Sequence, residues 1–174
     1  MRRTIAVALV LTLLAFVAGC GSKSSSSSNS SAASQPTSTT NKTHLAKTKF
    51  VLHAGLAFGA FHRYIYKPFK RGAFSGGLAH HKAAVAKAAL AAAFAYHETR
   101  LALNAARSSK VLSTALKPLL ALQTSLSNLR NGFHRGNVNA ATIQSANGDT
   151  STVSKVSASK GQPIQDQPTP QLGG

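Results

Sequence analysis

Seven histidines and three acids, Glu98, Asp149 and Asp166, are the side chains of this 174-residue sequence best suited to acid–base or metal chemistry. Their spacing argues against both. A zinc site on a helix needs ligands on one face, as in HExxH, or paired cysteines, as in CxxC, and neither pattern occurs. His80 and His81 are adjacent, so a helix points them about 100° apart. His53 and His62 are nine residues apart, which puts them on opposite sides of one helix. Paired-carboxylate catalysis needs a second acid beside the first, and the chain before Asp149 supplies Glu98 alone. No GxSxG turn presents a serine nucleophile. The expectation is a non-enzyme without metal or cofactor. Glu98 has Phe94, Ala95, Leu101 and Ala102 three and four residues away, so its expected partner is an Arg or Lys on another helix. His62 is expected half-buried beside Tyr66.

The stretch "YKPFKRGAF", residues 66–74, interleaves aromatic and cationic side chains. Arg63, Lys67, Lys70 and Arg71 are the candidate residues for binding an anionic surface, with Tyr66, Phe69 and Phe74 at a headgroup or sugar layer. Aromatic–basic interleaving also suits single-stranded nucleic acid. A plainer reading is a solvated turn whose aromatics cap a helical core. No nucleic-acid-binding module signature is present, so nucleic acid is the weaker partner.

The only cysteine, Cys20, sits between an apolar run and a serine tract in "LLAFVAGCGSKSSSSSNSS". Met1-Arg2-Arg3 is a short basic start, and Ile5 to Ala18 is apolar except for Thr12. That is the layout of a secretory signal, too short to span a bilayer comfortably. Val17-Ala18-Gly19-Cys20 resembles the lipobox of bacterial prolipoproteins: a branched apolar residue, two small residues, then cysteine. The resemblance covers residues 1–20. It implies cleavage before Cys20, a diacylglycerol on its thiol, and an address at the outer face of the cell membrane. Two acyl chains, at about 0.8 kcal/mol per buried methylene, hold a protein on a membrane where one is marginal. A lipidated Cys20 leaves no thiol for a disulfide. Export also argues against a genomic role.

The charge balance is extreme, with 20 Lys and Arg against three acids. Such a chain is drawn to polyanions. At an envelope these are anionic lipid headgroups or wall polymers; an unidentified protein partner is the other possibility.

The elements that must carry these residues read as helices. Alanine is abundant and period-2 alternation is missing. Residues 1–19 form the signal, and 20–43 a lipidated, serine-rich tether. Its composition buries too little apolar surface to offset ordering. Residues 44–160 form the helical domain, and the Pro/Gln/Gly-rich residues 161–174 a disordered tail. The first helix spans about His44–Lys67, ended by Pro68, with Val51, Ala54, Phe58, Phe61 and Ile65 on one side. Its Gly55–Gly59 flank forms a groove for another helix. The second spans about Leu78–Arg107, with Leu90, Phe94 and Leu101 on one side and an alanine arc, Ala84 to Ala102, that should meet that groove. The third follows Ser108 or Ser109, carries Ala115, Leu119, Leu122, Leu126 and Leu129 at steps of 4-3-4-3, is interrupted at Pro118 and stops at Asn131-Gly132. The fourth, about Asn139–Lys160, has a sparse stripe of Ile143, Val153 and Val156. Short loops make this an all-α, up-down antiparallel bundle of about four helices. Phe50–Phe61 is too short to cross a membrane. The expected role is non-catalytic binding or scaffolding at an anionic envelope surface. The alternatives are a membrane-interfacial helical module or an exported polyanion or nucleic-acid binder.

Overall fold

The computed structural model describes residues 38–75 and 78–172. They belong to one compact unit, residues 36–174. The signal, Cys20 and most of the tether lie outside the described residues.

The first helix, α1, runs Ser38–Phe61, so the last residues assigned to the tether are helical. It passes without a break through a π-helical turn, His62–Tyr66, into the short α2, Lys67–Lys70. Pro68 does not end the helix. The π-turn leaves it in the first turn of α2, where a missing N–H breaks no bond. A 3₁₀ turn, Leu78–His81, leads into α3, Lys82–Arg107. A second 3₁₀ turn, Lys110–Ala115, leads into α4, Leu116–His134, so the helix restarts just before Pro118. α4 continues through Asn131 and Gly132 instead of stopping there, and the reversal falls at Gly136. α5, Ala140–Ser159, starts at Asn139, whose side chain accepts the Thr142 amide at 2.8 Å as an N-cap.

The four long helices pack in chain order, α1 on α3, α3 on α4 and α4 on α5, which makes an all-α antiparallel bundle. No strand occurs among the described residues. The leucine stripe of α4 is fully buried: Leu119, Leu122, Leu126 and Leu129 are at most 1% exposed. Each such side chain contributes roughly 1.5–3 kcal/mol by leaving water. From α1 come Phe50, Ala54, Phe58 and Phe61, and from the π-turn Ile65. α3 buries alanines, Ala88, Ala91, Ala92, Ala95 and Ala102, which let its neighbours come close. Of its larger side chains Leu103 is buried, whereas Leu90 is 52% exposed and Phe94 and Leu101 are half-buried.

The fourth seam, between α5 and α1, has few direct helix contacts. The C-terminal segment fills it. Composition predicts disorder for residues 161–174. Residues 162–171 are instead an extended strap laid along α1 after a reversal at Gly161, whose φ of 68° favours glycine. Ile164 and Thr169 are buried, and the Gln167 amide donates to the Gly55 carbonyl at 3.0 Å. The Gly55–Gly59 groove therefore holds the strap and not the alanines of α3. A Cβ on Gly55 would lie 2.6 Å from the Gln165 carbonyl oxygen, and one on Gly59 would overlap that of Gln167. The prolines at 163, 168 and 170 suit the strap, since they favour extended backbone and need no donor for a ladder.

Candidate functional site

The π-turn decides which side chains meet at the far end of the first helix. In an α-helix His62 and Lys67 are five residues apart and diverge by about 140°. Here the Lys67 amide bonds the His62 carbonyl, five residues back, which lays Lys67 beneath His62. His62, Tyr66, Lys67, Lys70 and Arg71 then line one cleft of about 470 Å³, with Asp166 of the strap on its wall.

Three of the four expected cations are thus brought together. Arg63 is not among them: its guanidinium lies over the Tyr64 ring, 5.3 Å from the centroid, away from this cleft. The aromatics of the 66–74 stretch face inward. Tyr66 stacks on Phe61 at 6.1 Å, Phe74 meets Phe133 edge-on at 5.5 Å, and Phe69 packs partly against the core. Rings cap the bundle while Lys67, Lys70 and Arg71 stay exposed.

His62 is half-buried beside Tyr66, as its position predicts, with ring centroids 6.1 Å apart. Its Nδ1 meets Asp166 Oδ2 at 2.8 Å. Nothing in the sequence pairs two residues 104 positions apart when one sits in a segment read as disordered. The other acids are committed elsewhere. Asp149 of α5 accepts the Ser125 hydroxyl of α4. Glu98 of α3 is buried and meets His53 Nδ1 of α1 at 2.7 Å. Its partner does lie on another helix, but is a histidine and not an Arg or Lys. A buried carboxylate needs such a partner, because desolvating it alone is expensive. His53 also lines a second cleft of about 460 Å³, near Lys42 and Lys49.

The consequence for the cations is direct. The described residues hold 17 Lys and Arg and three acids, and no Lys or Arg among them forms an ion pair with a carboxylate. Two arginines use aromatic faces, Arg63 on Tyr64 and Arg130 on Tyr96 at 4.8 Å. The rest of the positive field is directed outward. Among the described residues no three His, Cys, Asp or Glu side chains gather to hold a metal. No helix among them is long and apolar enough to cross a membrane.

No family model matches the chain, and no curated protein or solved structure shows significant similarity to it.

Proposed function

We propose that this chain is an exported lipoprotein, lipid-anchored at Cys20 on the outer face of the cell membrane. Its cationic helical bundle binds or scaffolds, without catalysis, at an anionic envelope surface of lipid headgroups or wall polymers. The observation that carries the binding reading is the cleft at the end of the first helix, where Lys67, Lys70 and Arg71 gather with no carboxylate paired to any of them. Each cation near an anionic membrane contributes about 1 kcal/mol at modest salt, fading beyond a Debye length of roughly 8–10 Å. The lipobox resemblance supports the address, because a chain tethered within nanometres of headgroups meets them at high effective concentration.

Cosedimentation of residues 36–174 with phosphatidylglycerol vesicles over a salt series tests this. The expected result is binding at low salt that fades at moderate salt. Absence of binding at low salt to both vesicles and anionic wall polymer would remove the reading.

A further inference from the structure

Asp166 is the unexpected member of the cleft. It is a carboxylate on a wall shared with Lys67, Lys70 and Arg71, yet it bonds His62 and pairs with none of the three. It is also about half exposed, with side-chain exposure of 48%. Among the described residues no side-chain hydrogen bond occupies Lys67, Lys70 or Arg71, so two ammonium groups and a guanidinium keep their donors open. Cations in the last turn of a helix do complement its dipole. That accounts for Lys70 and Arg71 being there. It does not account for a π-turn that brings His62 over Lys67, nor for an acid held beside three cations it does not pair with.

A planar guanidinium beside ammonium groups suits the oxygens of a phosphate. A cleft of about 470 Å³ falls within the range of small-molecule sites. We propose that this cleft takes a phosphate group, and that Asp166, fixed by His62 on the strap, is a resident negative charge that lowers its affinity. The proposal rests on the reading of this end as an anion-binding surface and adds the ligand class and its regulator. The carboxylate opposes an incoming anion, so an isolated anion is held weakly. A surface presenting many phosphates overcomes one fixed charge through the neighbouring cations. Position 166 on the strap therefore sets how anionic a surface must be before the domain engages it.

The test uses the full chain in nonionic micelles, followed by amide chemical shifts of residues 62–71. One arm is titrated with inorganic phosphate, the other with phosphatidylglycerol doped into the micelles. Asp166→Asn keeps an oxygen to accept from His62 and removes the charge. It should tighten binding about threefold to tenfold, as expected for one screened charge a few ångströms away. Lys67→Gln with Lys70→Gln and Arg71→Gln should abolish the shifts. Tightening in both arms identifies the phosphate group itself as the ligand, and tightening only with the doped lipid identifies the headgroup at a surface. Equal or weaker binding by D166N, with the triple variant still defective, overturns this inference and leaves the surface reading standing. No binding by any form in either arm overturns both.

Discussion

Replacing Gly59 with alanine asks whether the strap occupies its groove. In an open helix position the change is favourable, since alanine exceeds glycine in helix propensity by up to about 1 kcal/mol. Here the new methyl overlaps the carbonyl oxygen of Gln167; a Cβ is fixed to its Cα and the oxygen is backbone, so neither can swing away. Overpacking of this kind costs about 1–3 kcal/mol. The loss is capped by what the strap contributes. Burying Ile164 is worth roughly 1.5–3 kcal/mol, and the Gln167–Gly55 hydrogen bond about 0.5–1.5 kcal/mol. After the propensity gain, a net fall of about 1–2 kcal/mol remains. For a unit of this size that lowers Tm by roughly 3–10 °C. Gly148 in α5 is the control. A Cβ there meets nothing within 4 Å, so Gly148→Ala should raise Tm slightly. Thermal unfolding of residues 36–174 by circular dichroism reads both, and hydrogen exchange at the Gln167 amide should quicken in Gly59→Ala alone. A rise in Tm for Gly59→Ala matching that of Gly148→Ala, with Gln167 protection unchanged, would refute the argument.

Three further outcomes are expected. Glu98→Ala leaves His53 without its carboxylate and should destabilise by about 1–3 kcal/mol, discounted for the partial exposure of His53, whereas the double replacement with His53→Leu should restore much of the loss; a denaturant double-mutant cycle measures this. Leu126→Ala opens a cavity in the α4 stripe and should cost about 2–5 kcal/mol by the same measurement, far more than Leu120→Ala, since Leu120 is 46% exposed. Cys20→Ala should abolish incorporation of a fatty-acid analogue in cells and move the protein out of the membrane fraction, or leave it as precursor; equal labelling of both forms would end the lipoprotein reading.

The parts of the fold legible in the sequence are those whose signal is local. The 4-3-4-3 leucines of α4 announce their own burial, and Asn139 caps the helix that follows it. The Pro68 stop failed because a π-turn just upstream absorbs the proline, and no residue pattern marks that turn. The tail failed for a different reason. Its Pro/Gln/Gly composition shows that it cannot build a core of its own, but not that a glycine groove about a hundred residues earlier is shaped to hold it. The same two features hid two of the six residues of the candidate site. Lys67, Lys70 and Arg71 stand out by charge, whereas His62 joins them through the π-turn and Asp166 through the strap. Arg63 lies close to the cationic stretch in sequence but turns to Tyr64 in the structure.

On the proposed reading the clustered cations at the end of the first helix, and not net charge alone, carry binding to an anionic surface. Two variants of residues 36–174 separate these at equal net charge. One replaces Lys67, Lys70 and Arg71 with Gln; the other does the same at Lys110, Lys155 and Lys160. Each loses three cations, so their attraction by net charge is equal. Cosedimentation with phosphatidylglycerol vesicles at low salt should show binding lost or cut at least tenfold in the first and little changed in the second. Equal weakening of the two would contradict the account and reduce the attraction to a diffuse property of the whole surface.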